Sequence, residues 1–181
     1  MTALRQFLTT PEPAALGPAR RAGTLGEAEL NRALEPILLR GRLASPNAEL
    51  IQALLLLWHD HLDAAHNISQ GIENEHGSFV HAIMHRREPD AWNSKYWWQR
   101  VGSHRAFPEI ARRVDELLRS RETAGLAKRL LPGGKWDAKA FVDTCDSALA
   151  LPETDPQVKL LREIQLIETD AMLEFLLSSA K

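Results

Sequence analysis

The apolar positions of this chain recur at helical intervals, and no run of four or more residues alternates as a half-buried strand does. Thr24-Leu25-Gly26-Glu27 has the spacing of a capping box, in which the threonine hydroxyl serves a free helix N–H and the glutamate reaches back. A short helix is expected after it, interrupted near Pro36, which has no N–H to donate inside a helix. Ser45-Pro46 is a second start, an N-cap followed by proline at the first helical position. No breaker follows until Gly71, which predicts one long helix to about Glu73. Asn74 to Ser78 reads as a short break, with Ser78 capping a helix through Arg87, and so brief a connection favours an antiparallel helix pair.

Farther along, Asn93 is placed to cap a helix ending near Gly102, Pro108 to open one to about Arg121, and a weaker one covers Ala124 to Leu131. Pro132-Gly133-Gly134 is a loop, and Asp137 starts a helix to about Leu151. Asp155-Pro156 starts the last helix, where Leu160, Leu161, Ile164, Ile167, Ala171, Met172, Phe175 and Leu176 form an apolar stripe. The prediction is an all-α, single-domain bundle of about seven or eight helices around a central antiparallel helix pair. It covers residues 24–181, after a loosely ordered Pro-, Ala- and Arg-rich arm over residues 1–23.

Composition narrows the class. The chain has 181 residues, 44% hydrophobic and 25% charged, which is globular rather than disordered. With 22 Lys+Arg against 24 Asp+Glu, the balance speaks against general nucleic-acid binding and against a polybasic membrane anchor. The longest apolar stretch, Ala53 to Trp58, is too short to span a bilayer, and the proline-rich start lacks the apolar run of a signal peptide. Cys145, the single cysteine, excludes an internal disulfide and a cysteine-built metal site. A soluble cytoplasmic protein is expected.

All 7 histidines lie between His59 and His104, with Trp58, Trp92, Trp97, Trp98 and Tyr96 in nearly the same window. On the expected long helix His59, Asp63, His66, Gln70 and Glu73 form one narrow polar stripe at about 100° per residue. His81 and His85, four apart, share a face of the next helix. Counting outward from the turn sets His66 level with His85 to Glu88, and Gln70 or Glu73 level with His81. Imidazole and carboxylate together suit zinc, iron, manganese or nickel without a thiolate, which makes His59, His66, His81 and His85 the candidate metal ligands. The carboxylate di-metal pattern, Glu-x-x-His on each of two helices, is not found. Glu73 and Asp63 are the candidate general bases for a metal-bound water, with metal-assisted hydrolysis as the reaction class.

Arg86, Arg87, Tyr96, Trp97 and Arg100 are the candidates for binding a small anionic ligand, since arginine meets carboxylate and phosphate as a planar fork. Arg86 and Arg87 could equally pair with Glu88, Asp90 or the last helix. The four aromatics of Trp92 to Trp98 cannot share one helix face, so at least one lines a cavity or stands exposed. There is no Gly-x-Ser-x-Gly turn and no Walker loop. The alternative is a non-catalytic interaction module, an adaptor or a homodimer through the last helix, with the histidines and arginines as a buried polar network.

The run His81-x-x-x-His85-Arg86-Arg87-Glu88-x-Asp90-x-x-Asn93-x-x-Tyr96-Trp97-Trp98-x-Arg100-Val101-Gly102-x-His104 resembles a family of small all-helical proteins of unassigned function. Trp58 to His66 and Leu161 to Gln165 resemble it too, so the likeness covers roughly residues 50 to 175. The family pattern has a proline after the Val-Gly-x-His run, where Arg105 stands here. The resemblance implies a helical fold and a polar site at these positions, and no particular activity.

Overall fold

The computed structural model describes residues 2–41, 43 and 45–178. Among them every element is helical: α1 (Thr2–Arg5), α2 (Glu27–Arg40), α3 (Asn47–Trp58), α4 (Leu62–Ser69), α5 (Glu75–Arg87), α6 (Ala91–Val101), α7 (Phe107–Ser120), α8 (Ala124–Leu130), α9 (Ala138–Ala148) and α10 (Pro156–Ser178). The fold is all-α and forms one domain. Short 3-10 turns at Gln6–Leu8 and Pro132–Gly134 complete it. No described helix is long and apolar enough to cross a membrane.

The core lies between α3, α5 and α10. Leu50 to Trp58 are buried without a break apart from Gln52, so α3 has apolar residues on every side and sits at the centre. In α10, Leu161, Ile164, Ala171, Met172 and Leu176 of the expected stripe are buried, and Arg162, Gln165, Glu168 and Thr169 are buried with them. Polar side chains in such numbers need partners inside the protein, and they find them on the N-terminal segment and on α5.

That segment, expected as a loose arm, has no helix between Thr9 and Gly26, yet it is built into the core. Leu4, Leu8, Ala14, Ala15 and Leu16 are buried. Its carbonyls are held by side chains: Arg162 Nε donates to Pro13 O (3.0 Å), Gln165 Nε2 to Ala14 O (3.0 Å) and Arg87 Nε to Ala15 O (3.0 Å). An irregular strand of chain can be buried only if its main-chain groups are satisfied, and these donors do that.

Several expected boundaries are corrected. The long helix divides, because the chain turns at His59–His61. Asp60 takes a left-handed φ of 68°, Asp60 N–H bonds to Leu57 O and His61 N–H to Leu56 O, the two bonds of a Schellman termination. Glycine usually fills that position; here an aspartate does, and its carboxylate is buried against two arginines. Next, Asn74 rather than Ser78 caps α5, accepting from the His76 and Gly77 N–H groups (2.9 and 2.8 Å), which leaves Ser78 inside the helix. Finally, Asp90 rather than Asn93 caps α6, accepting from Asn93 N–H (3.0 Å). Pro36 lies within α2 without ending it, and Gly26 stands at its N-cap position in place of the threonine box. Gly77 is required by packing: a Cβ there would lie 2.0 Å from the Ile72 carbonyl oxygen.

Arg87 Nη2 meets Asp60 Oδ1 at 2.7 Å, and Arg21 reaches Asp60 Oδ2 through Nε and its own N–H, both at 2.9 Å. Removing one member of such a buried pair leaves the other charge uncompensated, at a cost of about 3–5 kcal/mol. Asp60→Gly separates this from backbone strain. If the positive φ dominated, glycine would be neutral or stabilising; the carboxylate account predicts a loss of about 3 kcal/mol or more by urea denaturation. An unchanged unfolding midpoint would contradict it.

Candidate metal centre

The turn at Asp60 decides which histidines meet. On a continuous helix His59 and His66 would share a face. After the turn they part, and the stripe from His59 to Glu73 does not exist as one surface. His59 is buried at the end of α3 with both ring nitrogens in use: Nδ1 accepts from Leu25 N–H (3.1 Å), so Nε2 carries the proton and donates to Phe7 O (2.9 Å). It is a strut for the N-terminal segment and lies outside the histidine groupings that could hold a metal. Asp63 and Glu73 are both exposed and likewise outside them, so neither is placed as a general base.

His66, His81 and His85 do converge. One ring nitrogen from each falls within 4.8 Å of the others. His81 and His85, one turn apart on α5, have Nε2 atoms 3.0 Å apart. The His66 ring, from α4, is centred 4.7 Å from that of His81 and 5.4 Å from that of His85. Trp97 of α6 stacks on His81 with centroids 4.0 Å apart, and the Arg100 guanidinium lies 5.3 Å from the Trp97 ring centre. Glu88 Oε2 is 3.2 Å from His85 Nδ1, an ion-pair distance on the side of the ring away from His81. Burial pushes the His81 pKa down to about 3, with the neighbouring His85 and His66 adding to it, so His81 is neutral and has a lone pair at neutral pH.

A second grouping joins Glu75, His76 and His104. Its chemistry differs, because the ring nitrogens are already allocated. His104 Nδ1 accepts from Ala106 N–H (3.1 Å), so the proton sits on Nε2 and is donated to His76 Nδ1 (2.9 Å). A metal on His104 Nε2 would require a proton on Nδ1, facing another N–H. The pair is packed among Phe79, Phe107 and Phe175, and reads as a structural hydrogen bond. Residues 28 positions apart, one on α5 and one in the loop between α6 and α7, give no spacing signal, and the sequence alone does not pair them.

The anion candidates are placed as follows. Arg86 is buried on Glu168 of α10 (Nη2–Oε2 2.5 Å) and on Gln165 (3.3 Å), over the Phe141 ring at 4.5 Å. Arg87 is buried on Asp60 and on main-chain carbonyls; burial lowers its pKa to about 10 against the raising effect of Asp60. Both arginines are therefore spent inside the protein, Arg86 on the last helix. Tyr96 and Arg100 are exposed, Trp97 is half-buried, and Trp92 is 74% exposed, stacked on Tyr96. A cleft of about 460 Å³ near the Pro132–Gly134 turn is lined by Ser103, His104, Phe107, Lys135 and Trp136, and by none of the three converging histidines.

No protein-family model, curated protein or solved structure matches this chain.

His59, His76 and His104 all have lowered pKa values, with burial the first cause, and that of His104 falls to about 4. Unfolded histidines take a proton near pH 6.5 that these folded ones refuse, so stability is full above that value and is lost as pH falls toward 4. The melting temperature is expected to drop by several degrees between about pH 7 and about pH 5. A melting temperature constant across that interval, read by circular dichroism, would contradict neutral burial.

Proposed function

We propose that the chain is a metal-binding helical protein in which His66, His81 and His85 hold one divalent transition-metal ion. The observation that carries this reading is the 3.0 Å approach of His81 Nε2 to His85 Nε2 with a third imidazole alongside. Two imidazole nitrogens on a tetrahedral zinc with bonds of about 2.0–2.1 Å stand about 3.3 Å apart, so an ion needs a shift of only a few tenths of an ångström. An all-imidazole set suits zinc, nickel, iron or copper more than the oxygen-seeking manganese. Three protein ligands leave a position open for water or a small anion, the arrangement used in metal-assisted hydrolysis.

Anion recognition then falls to the ion itself and to Arg100, since Arg86 and Arg87 are committed elsewhere. Glu88 is the carboxylate beside the ligands, in place of Asp63 or Glu73. One observation favours a second reading, a structural network: the same 3.0 Å contact is also a hydrogen bond between neutral imidazoles. The two readings differ in what zinc does. Metal binding predicts near-stoichiometric metal by plasma mass spectrometry after zinc loading and desalting, together with a melting temperature raised by zinc. Both effects should vanish in His66→Ala/His85→Ala. A wild-type chain that retains no metal and melts unchanged with zinc would leave the network reading standing and sink the metal one.

A further inference from the structure

The three histidines are not equivalent, and the difference lies on the far sides of their rings. A metal-binding imidazole that uses Nε2 must carry its proton on Nδ1, and a hydrogen-bond acceptor there fixes the tautomer and raises ligand basicity. His85 has a carboxylate beside it: Glu88 Oε2 lies 3.2 Å from Nδ1, at ion-pair distance and outside hydrogen-bond geometry, where a nitrogen lone pair would face the carboxylate's own and an N–H is favoured. Among the described residues His81 has no ion-pair partner; both Nδ1 atoms are buried without a hydrogen-bond partner, so the difference between the rings is the carboxylate beside His85 alone. The charge of Glu88 therefore favours one arrangement of the pair without an ion. Glu88 draws the proton of His85 to Nδ1, His85 Nε2 becomes the acceptor, and His81 donates from Nε2, leaving a bare Nδ1 that costs less to bury than an orphaned N–H.

Resting on the metal reading above, we propose that Glu88 is a positioning residue for the ion: it holds His85 as the preformed ligand, while His81 becomes a ligand only by moving its proton from Nε2 to Nδ1. Zinc binding then proceeds from a site with one nitrogen already presented and another that must change tautomer. Glu88 suits this role because its side chain is 40% exposed at the C-terminal end of α5, where it can be exchanged without opening the core. Asp90, close enough to act on His85 electrostatically, instead caps α6 through Asn93 and is not the fixing group. The carboxylate also sits where Glu88 N–H closes the last turn of α5 on Met84 O (3.0 Å), so its backbone is anchored.

The test is zinc titration by calorimetry of wild type, Glu88→Gln and Glu88→Ala, with imidazole nitrogen NMR of each protein before and after zinc. Loss of the acceptor should weaken zinc binding by about 10- to 100-fold in Glu88→Ala, the range for removed outer partners of metal ligands. Glu88→Gln, which keeps an acceptor oxygen but loses its charge, should fall between. Before zinc, His85 should show the Nδ1–H form in wild type and lose it in Glu88→Ala; His81 should show Nε2–H and pass to Nδ1–H on zinc addition. A merely electrostatic pull of the carboxylate on the cation would weaken binding and leave the tautomers unmoved, which overturns the proposal. So does equal zinc affinity in wild type and Glu88→Ala. Failure of wild type to bind zinc at all overturns the metal reading itself, and with it this assignment.

Discussion

The buried contact of Asp60 with Arg87 and Arg21 is the constraint on which the rest of the molecule depends. Burial alone would raise the pKa of the Asp60 carboxyl; the bonds from Arg21 and the charge of Arg87 outweigh it, and the group is held below its usual range. The cost of desolvating a carboxylate and a guanidinium is several kcal/mol each, so the pair is weak ground for overall stability and strong ground for specificity. What it specifies is a corner. Asp60 ends α3 in a left-handed turn, Arg87 ends α5 against it, and Arg21 with the Ala15 and Gly17 carbonyls draws the N-terminal segment over the same point. From that corner α4 sets off in a direction that brings His66 to α5 and leaves His59 behind.

The two histidine groupings show that residue type and proximity do not determine chemistry. Each collects imidazoles within hydrogen-bond reach. In one, the main-chain N–H of Ala106 has already taken Nδ1 of His104, and the shared proton runs toward His76. In the other, no main-chain group competes, and Nε2 lone pairs can turn to an ion once a proton moves on His81. The deciding fact is which ring nitrogen is spent before any ligand arrives.

Much of the fold is legible in the sequence because amphipathic periodicity and proline starts are local. Pro108, Asp137 and Asp155-Pro156 open helices where the pattern puts them, and the Pro132–Gly134 loop stands. Of the boundaries that moved, two were choices among neighbouring capping residues and one was set by tertiary contacts. Asn74 and Asn93 both carry capping chemistry, but the cap falls to Asn74 in one case and to Asp90, three residues before Asn93, in the other. The end of α3 is invisible because no glycine or proline marks it; it exists because Asp60 has partners 27 and 39 positions away. The site follows the same rule. His81 and His85 were legible as an i, i+4 pair, and His66 as their neighbour across a hairpin. Glu88 and the loss of His59 were not, since both depend on where rings point after the corner is made. The pairing of Arg86 with the last helix was one of several partners the sequence allowed, and packing selected it.

The central claim is that one histidine grouping takes a metal and the other does not. Anomalous diffraction from crystals of the zinc-loaded protein, recorded on either side of the zinc absorption edge, tests it directly. The account predicts one strong peak within bonding distance of His66, His81 and His85, and none between Glu75, His76 and His104. A peak at the second grouping, or no peak at the first, would contradict it.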